Sequence, residues 1–250
     1  MKAMILAAGL GTRLRPLTND RPKALVEVGG KTMLEITLAR LHNFGIREII
    51  INVHHFANMI QDYLRARKNF GMRIEISRED DLLLDTGGGL KQAGWFFQQA
   101  SGRDEPFLLH NVDVISNIDF SRMLGHHKEK QGLATVAVQD RETSRYLLFD
   151  KSLELCGRKF GRNGKSEIVR PARDLWALAF SGIHIISPRL ISRMTENGAF
   201  SIIDTYLRLA AEGEKIVGFR ADQYFWRDLG KPEQIAQAAA DIAAGQLTVS

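Results

Sequence analysis

Between Ala8 and Thr18 the chain reads AGLGTRLRPLT, directly after the apolar run Met4-Ile5-Leu6-Ala7-Ala8. Glycines such as Gly9 and Gly11 let backbone N–H groups approach an anion closely, and nearby cations supply the countercharge. Arg13, Arg15 and Lys23 place three cations within eleven residues. That density suits a triphosphate, whose charge must be offset in any transfer at its α-phosphorus. For Arg15 a solvated surface role is an equal alternative. Glycine spacing alone shows only a tight turn. Leu14 occupies the third glycine position of a dinucleotide-binding fingerprint, and the loop itself contains no Gly-Lys-Ser/Thr of a P-loop.

Two further segments offer chemistry. Phe107-Leu108-Leu109-His110-Asn111-Val112-Asp113 carries a carboxylate just past a buried strand, where ligands of parallel α/β sheets bind. Its hard oxygens suit Mg²⁺, which takes one or two protein carboxylates and completes its shell with phosphate oxygens and water. Asp228, in Trp226-Arg227-Asp228-Leu229-Gly230, is a second carboxylate, but nothing in the local sequence brings it to Asp113. Asp85-Thr86-Gly87-Gly88-Gly89-Leu90 either sets backbone against a flat base or makes a flexible turn. The histidines do not form a chelating set: His54 and His55 point to opposite faces of a strand end, His126 and His127 read as solvent-facing on a helix, and His110 reads as a core or supporting residue. Cys156, the single cysteine, reads as a packed thiol in a reducing compartment.

These residues require elements to position them. The first apolar run reads as a strand buried on both faces. Leu34, Leu38 and Leu41 recur at helical spacing within Met33–Phe44, and Ile49–Val53 reads as the next strand. Helices are expected over Ala57–Arg67, Gly89–Gln99 and Phe120–Lys130, and strands at Met72–Ile76, Pro106–His110 and Leu133–Val138. Further strands follow at Tyr146–Phe149, Ala179–Ile186 and Lys215–Phe219, with a helix opened by Ser201 and a last one bracketed by Pro232 and Gly245. The basic run from Cys156 to Asp174 reads as a long loop or β-excursion. This alternation implies an α/β fold: a three-layer α/β/α arrangement around a mixed, mostly parallel central sheet.

With 250 residues and 44% hydrophobic content the chain can bury a sizeable core in one domain. No stretch approaches the roughly 20 apolar residues of a membrane helix, so a cytoplasmic location without membrane contact is expected. A net charge of +5 favours anionic partners, but the absence of a long basic run or a nucleic-acid motif argues for phosphorylated small molecules over nucleic acid. Monomer and homo-oligomer are both open.

The segment from Leu6 to Thr18, followed by Arg21-Pro22-Lys23-Ala24-Leu25-Val26, resembles the signature of the sugar-phosphate nucleotidylyltransferases. Asp85–Gly89, Pro106–Leu109, Phe180–Ile183 and Trp226–Gly230 extend the likeness along almost the whole chain. The resemblance implies a Rossmann-like enzyme that joins a nucleoside triphosphate to a sugar 1-phosphate and releases pyrophosphate. It implies that Arg13 and Lys23 act on the phosphates, and that Ala8, Gly9, Gly11, Thr12 and Thr86, Gly87, Gly88, Gly89 hold the nucleotide. It further implies that Asp113 and Asp228 bind Mg²⁺, with Asn111, Ser181, Gly182 and Ile183 on the sugar side. A nucleotide-binding part over about residues 1–115, a sugar-phosphate part over about 116–231 and a terminal helix at 232–245 follow within one domain. The branch it resembles implies UTP and an N-acetylmuramate 1-phosphate-like sugar in cell-wall recycling. Mannose- or heptose-1-phosphate guanylyl transfer is the alternative. A nucleotide-sugar glycosyltransferase or a non-catalytic nucleotide-binding domain is the reading from another class. Val112 departs from the family's usual Asn-Gly-Asp and narrows the space beside Asp113; Lys231 is a second departure.

Overall fold

The computed structural model describes residues 1–98 and 105–245. Its first half runs β1 (Ala3–Leu6), β2 (Glu27–Val28), β3 (Lys31–Thr32), α1 (Met33–Asn43), β4 (Glu48–Val53), α2 (Ala57–Ala66), β5 (Arg73–Arg78), α3 (Asp85–Gln92), α4 (Trp95–Gln98), β6 (Phe107–Asn111) and β7 (Val114–Ser116). The second half continues with α5 (Phe120–Lys130), β8 (Ala134–Gln139), β9 (Arg145–Phe149), β10 (Leu155–Phe160), β11 (Ser166–Ile168), β12 (Trp176–Ile186), α6 (Arg189–Ser192), α7 (Ile202–Ala211), β13 (Ile216–Arg220), β14 (Trp226–Asp228) and α8 (Pro232–Ala243).

The stretch β6-β1-β4-β5 is parallel throughout. β12 runs antiparallel to β6, β8 and β9, and β10 antiparallel to β9 and β11, while β13 joins β8 in parallel. Eight of the ten strands in this sheet therefore share one direction, with β10 and β12 opposing them. The sheet is mixed and mostly parallel, as the alternation of elements implies.

Apolar runs with no polar face demand cover on both sides, and the core is divided accordingly. Ala3, Ile5, Ile49, Ile51 and Leu108 face one layer, with residues of α1, α2, α5 and α8; Met4, Ile50, Phe107 and Leu109 face the other, with residues of α3, α4, α6 and α7. The alternation within β1, β4 and β6 splits each strand between the two layers.

Local chemistry sets the helix starts. Thr32 accepts from the Glu35 N–H, Asp119 from Ser121 and Arg122, and Ser201 from Ile203, while Pro232 occupies the first turn of α8. Two expectations change. The helix expected over Gly89–Gln99 begins earlier, at Asp85, and is interrupted after Gln92; Gln99 lies outside the described residues. His127 is not solvent-facing but buried, where it hydrogen-bonds with Thr135 Oγ1 (2.9 Å) and Ser187 Oγ (3.1 Å); α5 turns this residue toward β8. The basic run after Cys156 forms the β10–β11 hairpin, the β-excursion of the two alternatives. Among the described residues no helix is long and apolar enough to cross a membrane.

Candidate active site

β1 lies between β6 and β4, so the chain's path leaves β1 toward β4 and β5 on one side and later fills β6 on the other. Such a switch point opens a crevice beyond the carboxyl ends of the strands. A cavity of about 440 Å³ opens there, lined by Leu6, Asn52 and Asn111 from the ends of β1, β4 and β6. Ala8, Gly9, Lys23, Val112 and Asp113 form one side, and Leu83, Asp85, Thr86 and Ala199 another.

The loop after β1 is shaped by its own residues. Gly11 takes φ +64°, and its carbonyl accepts from Thr18 Oγ1 at 2.9 Å. A side chain there would be strained in φ and would also press on Thr18 Cγ2, 2.9 Å from its Cβ. Thr12 and Arg13 then turn in a short 3₁₀ segment, Thr12–Leu14, anchored by the buried Leu14. Lys23 opens a second 3₁₀ turn and makes an ion pair with Asp113 across the cavity wall.

Asp228 reaches Asp113 through a feature too short to read in the sequence. β14 pairs antiparallel with β7, setting Asp228 opposite Val114, and the Leu229 N–H donates to the Asp113 carbonyl at 2.8 Å. Asp228 Oδ1 accepts from the Gly230 N–H at 2.6 Å. Arg13 closes this corner: a Cβ on Gly230 would lie 2.6 Å from Arg13 Nη2 and 2.7 Å from Asp228 Oδ1. Lys23 and Asp113 thus line the cavity, while Asp228 and Arg13 meet at Gly230, outside that lining and joined to Asp113 through the β7–β14 backbone. Among the described residues no group of three or more His, Cys, Asp or Glu side chains could hold a metal. Asp113 on the cavity wall, with Asp228 on the neighbouring strand, nevertheless offers the hard oxygens Mg²⁺ takes, since that ion leaves most of its shell to water and phosphate oxygens.

On the wall formed by α3, Thr86 lines the cavity and its Oγ1 accepts from the Ile202 N–H at 3.0 Å. Gly87, Gly88 and Gly89 are not a flexible turn; they are buried within α3. A Cβ on Gly87 would meet the Phe200 ring at 2.4 Å, one on Gly88 the Gly198 carbonyl oxygen at 2.4 Å, and one on Gly89 Asn52 Nδ2 and Glu79 Oε1 at 2.7 Å. The glycines let α3 seat against residues 198–200 and against β4.

Sugar-side expectations divide. Asn111 lines the cavity. Ser181, Gly182 and Ile183 form an irregularity in β12, where four residues from Phe180 to His184 span two from Val138 to Val136 on β8. Gly182 has φ +73° and packs on Asn111 and Val114. Ser181 lends its carbonyl to the Trp226 indole N–H at 2.7 Å, whereas the Ile183 side chain is in the core.

Sequence reasoning missed Asn52 and Glu79. Asn52 Oδ1 accepts from the Ala7 N–H at 2.8 Å, and its Nδ2 donates to Glu79 Oε1 at 2.7 Å. Glu79 Oε2 accepts from the Leu84 N–H at 2.9 Å. This buried chain ties the start of the loop after β1 to the segment that leads into α3. The polar Asn52 inside Ile49–Val53 was the available signal. His110 is fully buried with Nδ1 2.8 Å from the Asn111 carbonyl. Burial foremost, and then the Arg40 charge, push its pKa down to about 4, so it is neutral near pH 7.

The match to known proteins agrees with this geometry. Residues 2–150 match the family described as "Nucleotidyl transferase". The chain belongs to the nucleotidyl transferase family. It is 35% identical over 96% of both chains to N-acetylmuramate alpha-1-phosphate uridylyltransferase of Caulobacter vibrioides. It is 31% identical to mannose-1-phosphate guanyltransferase of Yarrowia lipolytica, over 93% of this chain and 61% of that enzyme. In fold it resembles HddC from Yersinia pseudotuberculosis complexed with GMP-PN, with a TM-score of 0.76 at 22% identity over 96% of this chain and 99% of that one. The expectation of an enzyme of the sugar-1-phosphate nucleotidyltransferase family is met.

Proposed function

We propose that the enzyme transfers a uridylyl group from UTP to N-acetylmuramate 1-phosphate or a closely similar sugar 1-phosphate, releasing pyrophosphate, in cytoplasmic cell-wall recycling. The observation that carries the reading is the Lys23–Asp113 ion pair on the wall of the cavity beyond β1 and β6, with Asp228 and Arg13 brought next to it by the β7–β14 pairing. The likeness to the Caulobacter vibrioides enzyme over 96% of both chains supports the choice of nucleotide and sugar.

The reaction needs no covalent enzyme intermediate. A sugar phosphate oxygen is already ionised at neutral pH and attacks the α-phosphorus in line, so catalysis rests on positioning and charge compensation. Backbone N–H groups from Ala8 to Thr12 face the triphosphate, and Arg13 offsets charge growing on the departing pyrophosphate. Lys23 exchanges its partner Asp113 for phosphate oxygens and steadies the α-phosphate against the incoming sugar phosphate. Asp113 and Asp228 would hold Mg²⁺, which when bound supplies further neutralisation of the triphosphate. Thr86 and the segment carrying Gly87–Gly89 form the base side, and Asn111 with the Ser181–Gly182 irregularity the sugar side.

Guanylyl transfer to mannose 1-phosphate is the second reading, supported by the likeness to the Yarrowia lipolytica enzyme. Pyrophosphate release across four nucleoside triphosphates and a panel of sugar 1-phosphates tests both. Highest kcat/KM for UTP with an amino-sugar acid phosphate is expected. Preference for GTP with mannose 1-phosphate would replace the first reading by the second.

A further inference from the structure

Arg141, in the connection between β8 and β9, is a half-buried cation that the chemistry above does not use. Its guanidinium stacks on the Trp226 indole, 3.7 Å from the ring centroid, and Nη2 donates to the Phe180 carbonyl at 2.7 Å. Trp226 is itself pinned through its indole N–H to the Ser181 carbonyl. The guanidinium is therefore fixed in orientation, yet it has no carboxylate partner among the described residues, and its buried Nε has no hydrogen-bond partner. A half-buried guanidinium with no carboxylate partner is costly unless an anion completes it. Burial, the first cause, makes its charge harder to hold, while Asp228 nearby opposes that effect.

Arg141 lines a second cavity, of about 250 Å³, with Asp140, Glu142, Tyr146, Lys159, Arg162 and Ala177. Arg162 is matched with Glu142. Asp140 supports the Arg220 charge. Lys159, half-buried and opposite Tyr146 in the β9–β10 ladder, has no carboxylate partner among the described residues. Arg141 and Lys159 thus leave the cavity with uncompensated positive charge.

Its position indicates what the charge reads. Trp226 and Asp228 are two residues apart on β14 and share a face, which separates them by about 7 Å along the strand. That is the scale of one hexopyranose ring. Asp228 is close enough to bear on the Arg141 charge, so a sugar 1-phosphate held at Asp228 would lie about one ring's length from the guanidinium.

We infer that Arg141, held on Trp226 and assisted by Lys159, is a specificity-determining residue that binds a second acidic group on the acceptor sugar, remote from its 1-phosphate. This rests on the sugar 1-phosphate transfer reading and assigns the recognition of an acidic sugar to a particular side chain. The recognised chemistry is an anion, supplied by either a carboxylate or a second phosphate.

Two matched substrate pairs test it with the full chain. N-acetylmuramate 1-phosphate and N-acetylglucosamine 1-phosphate differ by a lactyl ether carboxylate; glucose 1,6-bisphosphate and glucose 1-phosphate differ by a phosphate. The wild type should favour the acidic member of at least one pair by about 10- to 100-fold in kcat/KM, the scale of a charge-assisted hydrogen bond; which pair shows it names the anion. Arg141→Gln should collapse that ratio toward one. Arg141→Lys keeps the charge but loses the planar fork, and should leave an intermediate ratio. Thermal unfolding of both variants checks that they fold. No preference in the wild type for either acidic member, or an equal loss for both members in Arg141→Gln, overturns the inference. If no pair releases pyrophosphate, the transfer reading fails instead. Calorimetric titration of the same pairs into wild type and Arg141→Gln then reads the same ratio in Kd, and a ratio unchanged by the substitution overturns the Arg141 assignment.

Discussion

Gly88 and Gly125 are both helical glycines, and alanine at the two positions should have opposite consequences. Gly125 lies exposed in the middle of α5, and a Cβ there meets nothing within 4 Å. Gly125→Ala should gain about 1 kcal/mol from helix propensity, raising Tm by about 2–4 °C in a chain of this size. At Gly88 the same gain is opposed by packing. A Cβ would lie 2.4 Å from the Gly198 carbonyl oxygen and 2.9 Å from Leu84 Cβ. The oxygen is backbone and cannot rotate away, so residues 198–200 must retreat by about 1 Å, at an overpacking cost of about 2–3 kcal/mol. Gly88→Ala should therefore lose about 1–2 kcal/mol net and lower Tm by about 2–8 °C. The same retreat displaces Ala199 and Thr86, which line the main cavity, and a misplacement of that size should lower kcat/KM for the nucleotide by about 10- to 100-fold. Differential scanning calorimetry and a coupled pyrophosphate assay read both effects. A Gly88→Ala enzyme as stable as Gly125→Ala, with an unchanged nucleotide KM, would refute close packing of α3 on residues 198–200.

Asp113→Asn should remove at least about 1,000-fold of turnover, since it withdraws a carboxylate from the site of greatest charge build-up, while circular dichroism stays that of the wild type; turnover within tenfold of normal would contradict its assignment. Glu79→Gln must turn an amide donor toward either Asn52 Nδ2 or the Leu84 N–H, both donors. Urea unfolding should show a loss of about 1–3 kcal/mol, and nucleotide KM should rise. The buried histidines make stability pH-dependent. Burial foremost lowers the His110 pKa to about 4 and that of His184 to about 3, helped by the Arg40 charge at the first and by His110 at the second. The unfolded chain takes up these protons below about pH 6.5, the folded protein only at lower pH, so stability is full above 6.5 and falls as pH drops, by about 2 kcal/mol per histidine at pH 5. In His184→Gln the difference in unfolding free energy between pH 7 and pH 5 should shrink by about that amount.

Much of the framework was legible because it rests on local pattern. The apolar run of β1, the leucine spacing of α1 and the strand before Asp113 each carry their own period, and the parallel core follows from their alternation. The loop after β1 was legible because its glycines and cations lie close together in the chain. What escaped depends on residues far apart in the chain. The β7–β14 ribbon is three residues on each strand, too short for a period, yet it alone brings Asp228 to Asp113. The need for glycine at 87 and 88 comes from Phe200 and Gly198, which no local window contains. His127 looks like a surface residue beside Lys128, Glu129 and Lys130 until Thr135 and Ser187 are placed against it.

The most direct test is ³¹P NMR of the enzyme with Mg²⁺, UTP and N-acetylmuramate 1-phosphate. Loss of the triphosphate signals should be matched one for one by pyrophosphate and a new sugar-linked diphosphate diester, with no phosphorylated or uridylylated enzyme, and should cease when Mg²⁺ is chelated. Nucleotide binding without pyrophosphate from any combination of triphosphate and sugar 1-phosphate, or release of free nucleoside monophosphate without the diester, would contradict nucleotidyl transfer to a sugar phosphate.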